Sequence, residues 1–248
     1  MDTIKPILEK FDSVSLDEIE QVKLMNRIDR KYWFRFDKLE TLLKEALPYY
    51  NVLEINNQRL MEYRTTYLDT PDNKMYLTHH NKKMNRYKVR RRKYNSNDSA
   101  FFEIKFKNNK KRTIKQRIKS DFEIGGLQKP ESKFLSENAP FGNTGLQPSL
   151  YNQFFRITLI HKEQKDRCTI DLKPKFWNEH GKLKYDELVI FELKRGKSFK
   201  SSKMLSILKK FKIRQRGLSK YCTGKALLDP RLKRNAFKPR LRYLQKLY

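Results

Sequence analysis

Hydrophobic and polar positions alternate along several short segments, with the period of two that is typical of β-strands. In residues 102–107 (FEIKFK), phenylalanine and isoleucine would lie on one face of a strand, and glutamate and lysine on the other. The same reasoning predicts strands at residues 27–34, 62–68, 88–94, 113–118, 154–160, 167–172 and 188–194. About eight strands with few intervening helices favour an antiparallel meander over a doubly wound sheet.

Segments with helical periodicity flank these strands. Ser15 and Glu18 form a capping box that predicts a helix over residues 15–25. Further helices are expected at residues 39–47, 72–80, 202–211 and 218–228, with one more in the irregular connection 120–147. We therefore expect a helical segment at 1–26, a strand-rich domain at 27–228 and a basic tail at 229–248, anchored by Tyr243 and Leu244.

Charged residues recur on one face of the predicted strands. The polar-face residues are Arg27, Asp29 and Lys31; Arg64; Lys88, Arg90 and Arg92; Glu103, Lys105 and Lys107; Lys115 and Arg117; Arg156; Arg167 and Asp171; and Glu192 and Lys194. For a single strand, a solvated face over an ordinary core is the simpler interpretation. Repetition favours charged faces that point inward, with the apolar faces covered by amphipathic helices. The predicted fold class is α+β: an eight-stranded antiparallel β-barrel tunnel with a basic lumen and helices outside.

The overall charge narrows the class of partner. The chain has 57 Lys and Arg against 28 Asp and Glu, which gives a formal net charge of +29. Such an imbalance indicates an anionic partner: a nucleic acid, a phosphate compound or an anionic membrane. A lumen with surplus cations suits a ligand that carries several closely spaced negative charges, because arginine makes bidentate contacts with phosphate oxygens.

Carboxylates are few among these cations, and one of them is a candidate metal ligand. A carboxylate beside phosphates is a natural ligand for Mn²⁺ or Mg²⁺, which prefer oxygen donors. Glu192 is the first candidate, and a salt bridge with Lys194 is the alternative. Cys168 and Cys222 are expected to be buried, reduced thiols. The chain shows neither a membrane span nor a secretory segment, so we expect a cytoplasmic protein, with a membrane-protein partner left open.

The order of these motifs resembles the VTC domain, the polyphosphate polymerase module of the triphosphate tunnel metalloenzyme superfamily. The matching stretches are residues 27–32, 64–70, 88–94, 102–107, 155–156, 167–171, 191–194 and 219–221. They span nearly the whole chain, and their order is more specific than any one of them. Asp29 stands where the superfamily usually has glutamate, which shortens the reach of the carboxylate by a methylene group.

The resemblance implies a function and a set of site residues. Members of this type use ATP and Mn²⁺, transfer the γ-phosphate to a growing polyphosphate chain, and pass the product along the tunnel. The candidate catalytic residues that would hold the triphosphate are Lys31, Arg64, Arg90, Arg92, Lys105, Arg156 and Arg167. Glu192 would bind the metal, and Ser219 and Lys220 would contact phosphate from a helix near one mouth. The remaining candidate substrate-binding residues are Lys88, Lys107, Arg117 and Lys194.

Two other functions stay open at this point. A metal-dependent triphosphatase of the same fold would hydrolyse the ligand instead of polymerising it. A non-catalytic protein that binds polyphosphate or nucleic acid would need the same cations. We expect a polyphosphate polymerase whose partners are ATP and polyphosphate, and whose catalysis relies on positioning and charge neutralisation without a protein nucleophile.

Overall fold

The computed structural model describes residues 1, 3–21, 27–110, 112–123, 126–142, 145–163, 166–196 and 202–246. The strands are β1 (Ser13–Val14), β2 (Arg27–Arg35), β3 (Tyr50–Leu53), β4 (Met61–Asp69), β5 (Arg86–Tyr94), β6 (Ser99–Lys107), β7 (Thr113–Lys119), β8 (Gln147–His161), β9 (Asp166–Asn178), β10 (Gly181–Lys184) and β11 (Leu188–Gly196). The helices are α1 (Lys5–Glu9), α2 (Leu16–Gln21), α3 (Leu39–Ala46), α4 (Lys74–His80), α5 (Lys129–Asn138), α6 (Lys203–Lys210), α7 (Lys220–Leu228) and α8 (Lys238–Gln245).

These strands form one sheet with the main order β2-β11-β9-β8-β4-β5-β6-β7. Neighbours along this path are antiparallel, and β1 joins β3 in parallel at one side. The predicted α+β class is confirmed. The predicted closed barrel is not, because the path ends at β2 and β7, and no pairing among the described residues joins these two strands.

Contacts with the segment before α7 show that the sheet is strongly curved. Lys31 of β2 donates from Nζ to the Leu218 carbonyl at 3.3 Å, and Lys88 of β5 donates to Ser219 Oγ at 2.8 Å. Four strands, β11, β9, β8 and β4, separate β2 from β5 along the sheet. Since Leu218 and Ser219 are adjacent in the chain, the concave side of the sheet brings β2 and β5 close together. We call this concave side the inner face.

The outer face carries the main hydrophobic core. Apolar side chains of β2, β8, β9 and β11, including Phe34, Ile157, Ile170 and Phe191, are buried under α1, α3 and α6. A second cluster lies between α5 and strands β5 and β6. As predicted, alternation places one apolar face of the sheet under helices, and burial of this surface is the principal favourable term in folding.

Part of the inner face is filled by α7 and α8. Trp33 and Ile190 pack with Leu218 and with Leu244 of α8. A neighbouring cluster combines Tyr67, Leu150 and Phe176 of the sheet with Tyr221 of α7. Gly224 allows this close approach, because a Cβ atom there would lie 2.7 Å from Leu150 and 2.8 Å from Phe176.

The structure tests the predictions for the N-terminal helix and the basic tail. Ser15 and Glu18 cap α2 as predicted, with the Ser15 hydroxyl 2.8 Å from the Glu18 carboxylate, while residues 22–26 of the predicted helix lie outside the described residues. In the basic tail, Leu244 is buried and Tyr243 packs edge-on against Trp33 at 4.9 Å, so both anchors are confirmed. Among the described residues, no helix is both long and apolar enough to cross a membrane.

Candidate anion-binding site

Strands β5 and β6 form one wall of a cavity on the inner face. Alternation places Lys88, Arg90 and Arg92 on the same side of β5, as the sequence predicted. The antiparallel register sets Arg90 opposite Glu103 and Lys88 opposite Lys105. The apolar residues between them point outward to α5, so the charged side chains lie together on the inner face.

Strands β8, β9 and β11 form the opposite wall. Glu192 and Lys194 of β11 lie beside Thr169 and Arg167 of β9, respectively. On β8, Arg156 is the register partner of Asp171. The apolar residues that alternate with these side chains belong to the outer core, so this wall also turns its polar side inward.

Two interior carboxylates are tightly held by cations. Arg156 binds Asp171 with two hydrogen bonds of 2.6 and 2.9 Å, and Lys220 also contacts Asp171. Arg90 Nε donates to Glu103 at 2.6 Å. Burial acts to raise the pKa of each carboxyl, but the neighbouring cations outweigh it, lowering the pKa of Asp171 strongly and that of Glu103 to about 2. Both groups are therefore ionised and already engaged.

Cations on the inner face outnumber these carboxylates. Among the described residues, the inner-face cations include Lys31, Lys88, Arg90, Arg92, Lys105, Lys107, Lys115, Arg117, Arg156, Arg167, Lys194 and Lys220, and the inner-face carboxylates include Asp29, Glu103, Asp171 and Glu192. Lys105 is exposed to water, yet many protein atoms surround it, as expected for a group on the concave side of a curved sheet. Burial and nearby cations lower the pKa of Lys105 to about 7 and that of Lys194 to about 8. The cavity thus lacks counter-charge that an anionic ligand would supply.

Glu192 differs from the other two carboxylates in how loosely it is held. Its oxygens lie 3.9 Å from Lys31 Nζ and 3.6 Å from Lys194 Nζ, beyond hydrogen-bonding distance. Burial acts to raise the pKa of Glu192, and four cations, Lys31 foremost, outweigh it and lower the pKa to about 2. Glu192 is therefore an ionised carboxylate whose oxygens are still available to a ligand.

The surroundings of Glu192 fit a divalent cation bound together with phosphate. Thr169, its register partner on β9, has a buried hydroxyl with no hydrogen-bond partner among the described residues. Those residues contain no group of three His, Cys, Asp or Glu side chains that could hold a metal by themselves. Mg²⁺ and similar ions are often held by one or two carboxylates together with water and substrate phosphates. The site fits a metal that arrives with its anionic ligand.

The start of α7 reaches into the same cavity. Ser219 caps the helix by accepting a hydrogen bond from the Cys222 N–H, and its hydroxyl also accepts from Lys88. Lys220 lies 4.3 Å from the centre of the Phe154 ring and contacts Asp171. The structure therefore places Ser219 and Lys220 at a helix N-terminus beside the inner-face cations, where the family resemblance implies that they lie.

The family model of the VTC domain matches residues 26–229. The chain belongs to the VTC domain family. No curated protein matches this VTC domain significantly.

Several solved structures align with most of the VTC domain at low sequence identity. A candidate adenylate cyclase from Vibrio parahaemolyticus is 12% identical, with coverage of 79% of this chain and 96% of that chain and a TM-score of 0.47. A candidate adenylyl cyclase from Hippeastrum, described as having a dominant triphosphatase activity, is 13% identical over 82% and 96%, with a TM-score of 0.48. One from Bacillus halodurans is 15% identical over 79% and 96%, with a TM-score of 0.46. Similarity at this level says nothing about the activity of the VTC domain.

Most of the predicted site residues of the VTC domain lie together on the inner face. They are Lys31, Lys88, Arg90, Arg92, Lys105, Lys107, Arg156, Arg167, Glu192, Lys194, Ser219 and Lys220. Arg117 lies at the β7 end of this face, exposed, with its guanidinium 4.3 Å from the centre of the Phe101 ring. Their roles in binding stay predictions, whereas their proximity is a property of the fold.

The predicted position of Arg64 in the site is wrong. Its side chain is 45% exposed and pairs with Glu62 at 3.3 Å on the outer side of β4. The inner side of β4 instead carries Tyr63, whose ring lies 4.8 Å from the Arg156 guanidinium carbon and 5.7 Å from that of Arg92. On β4 the less polar side points inward. The prediction that the more polar side of each strand points inward is therefore wrong for this strand.

The predicted site left out three side chains of the VTC domain. Lys115 of β7, which alternation places on the polar face, pairs with Glu103. Tyr63 and Phe154 stack at 5.3 Å and form an aromatic floor below Arg156. Nothing in the sequence distinguishes these two rings from core aromatics.

Proposed function

We propose that this VTC domain is a polyphosphate polymerase that transfers the γ-phosphate of ATP to the end of a growing polyphosphate chain. The observation that carries the proposal is the excess of cations on the inner face, next to Glu192, whose neighbouring cations Lys31 and Lys194 lie beyond hydrogen-bonding distance. Membership of the VTC domain family supports it. In this proposal the curved sheet surrounds the bound chain as a tunnel.

The side chains would act by positioning and by neutralising charge. Arg90, Arg92 and Arg156 would hold the triphosphate, since guanidinium groups match phosphate oxygens with paired hydrogen bonds. A terminal oxygen of the polyphosphate chain attacks the γ-phosphorus in line, a new P–O–P bond forms, and the bond to the leaving ADP breaks. This step needs no protein nucleophile, and phosphoryl transfer depends mainly on alignment and electrostatics.

Glu192 would hold Mn²⁺ or Mg²⁺, with the Thr169 hydroxyl beside it. When bound, the ion would supply positive charge that offsets the negative charge of the phosphates and of the leaving group. Lys31 and Lys194 contribute to the same neutralisation from within 4 Å of the carboxylate. They also leave Glu192 ionised at neutral pH, because they help to hold its pKa near 2.

The decisive experiment is to incubate the purified protein with ATP and Mn²⁺ and to size the phosphate products. We expect ADP together with long phosphate chains. Release of orthophosphate without polymer would replace the proposal with a triphosphatase. Binding of tripolyphosphate without any turnover would make the domain a polyanion-binding protein, and competition by duplex DNA with steep salt dependence would identify nucleic acid as its ligand.

A pair of matched variants tests the metal assignment. Glu192→Gln removes the charge of the loosely held carboxylate, and Glu62→Gln removes one from the outer side of β4. We expect the first variant to lose turnover and to bind Mn²⁺ more weakly in the presence of tripolyphosphate, while the second retains both properties. Equal Mn²⁺ binding by the two variants would refute the role of Glu192.

A further inference from the structure

The row of cations on β5 continues beyond the cavity. Arg86 lies two residues before Lys88 on the same side of the strand, and its register partner on β6 is Lys107. At 3.4 Å per residue, the row from Arg86 to Arg92 is about 20 Å long. Lys88 bonds Ser219, so Arg86 lies on the far side of the α7 N-terminus from Arg90. This row is longer than a single triphosphate group.

The surroundings of His79 of α4 show that cations gather in this region. Burial lowers its pKa first, and the charges of Lys88, Arg86, Arg240 and Lys107 lower it further, to about 2. The principal charged groups acting on His79 are all cations. Its Nδ1 atom is buried and has no hydrogen-bond partner among the described residues. A neutral histidine therefore lies near four cations, Lys88, Arg86, Arg240 and Lys107.

Arg240 of α8 also lies at this end of the inner face. Its Nη2 atom lies 3.9 Å from the position that a Cβ atom on Gly217 would occupy, two residues before Ser219. Elsewhere around this end of the cavity, α7 and α8 contact apolar groups such as Trp33, Ile190 and Phe176. The cationic side of this end is thus the side formed by β5, β6 and Arg240.

We propose that Arg86, Arg240 and the neighbouring Lys107 form a second anion subsite at this mouth, which binds phosphates of a linear polyphosphate that extend past the triphosphate site. The inference rests on the proposed function, since it takes the cavity to hold the end of the same chain. Neither Arg86 nor Arg240 is among the proposed triphosphate ligands, and Arg86 continues the β5 row beyond them. Arg86 and Arg240 determine preference for chain length rather than transfer itself.

The test compares binding of tripolyphosphate and of long-chain polyphosphate to the full chain. Arg86→Gln, Arg240→Gln and the double variant each remove charge at the mouth. Lys209→Gln on α6 removes one exposed charge elsewhere and is the matched control. For the double variant we expect at least a tenfold loss of affinity for the long chain and less than a twofold change for tripolyphosphate. The control should change neither.

Two results would overturn the subsite. Equal losses for both ligands would indicate a general effect of charge, and an unchanged affinity for the long chain would show that the chain does not pass Arg86 and Arg240. Thermal melting confirms that each variant is folded, and Arg86→Lys with Arg240→Lys should restore most long-chain binding. If the unaltered protein bound neither ligand, the proposed function would fail instead, so the two failures are distinguishable.

Discussion

Arg90 and Arg91 are consecutive in the chain, yet they belong to two different electrostatic environments. Arg91 points outward, is 1% exposed, and pairs with the equally buried Glu131 through hydrogen bonds of 2.7 and 2.5 Å. Arg90 points inward and bonds Glu103, a carboxylate that Lys115 also contacts. The outer pair is balanced one to one, whereas the inner group has more cations than carboxylates.

The comparison distinguishes a buried ion pair that is part of the fold, Arg91 with Glu131, from inner-face cations that an anionic ligand could neutralise. In a buried ion pair, removal of one partner is strongly destabilising because it leaves the other charge buried without compensation. Crowded cations repel one another and destabilise the free protein, and such destabilised arrangements are typical of functional sites. Changes on the outer side should therefore affect stability, and changes on the inner side should affect binding.

The largest expected effect concerns the outer pair. Glu131→Gln leaves Arg91 buried without a counter-ion, which should cost about 3–5 kcal/mol of unfolding free energy. Denaturant unfolding measures it, with Glu137→Gln, an exposed carboxylate on the same helix, as the control. Tripolyphosphate affinity of the folded variant should be unchanged. A loss below about 1 kcal/mol would remove the distinction between the two sides.

On the inner side, loss of a charge should instead increase the stability of the free protein, by a smaller amount. Lys105→Gln removes a cation that burial and its cationic neighbours disfavour. The variant should bind tripolyphosphate about tenfold more weakly, a change of about 1.4 kcal/mol, and should melt at a higher temperature than the unaltered protein. Calorimetric titration and thermal melting measure the two quantities. Weaker binding with a lower melting temperature would mean that Lys105 stabilises the fold.

The inner-face lysines should also make tripolyphosphate binding depend on pH. Since the pKa values of Lys105 and Lys194 are lowered to about 7 and about 8, the free protein loses these charges as the pH rises through that range. An anion restores them, so tripolyphosphate binding should take up protons and weaken several-fold between about pH 6 and about pH 9. Titrations in buffers of different ionisation enthalpy measure the uptake. Lys105→Arg should flatten the profile; an unchanged profile would contradict the assignment.

Lys105 and Lys194 also determine how the stability of the free protein changes with pH. Between the lowered pKa and the ordinary lysine pKa of about 10.4, the unfolded chain binds more protons than the folded one. These two lysines therefore make the free protein more stable as the pH rises from about 7, the reverse of their effect on binding.

Alternation predicted much of the fold and site, and it failed on β4, where the less polar side of the strand points inward. On β5 and β6 the charged and apolar faces are clearly different, and Lys88, Arg90 and Lys105 lie where the pattern placed them. On β4 the side with Arg64 is more polar, but the inner side carries tyrosines. The curvature of the sheet depends on contacts that join distant strands to the segment before α7, such as those of Lys31 with Leu218 and of Lys88 with Ser219, which no local pattern encodes.

Arg64 gives the smallest and most discriminating expected effect. Arg64→Gln removes a charge that is half exposed and paired with Glu62 on the outer side, so tripolyphosphate affinity should change by less than about 0.5 kcal/mol, about twofold. Arg92→Gln, the charge-matched change on the inner face of the adjacent strand, should weaken binding about tenfold. Parallel calorimetric titrations compare them. Equal losses would place Arg64 in contact with the ligand, as the sequence motif implies, and would reverse the face assigned to β4.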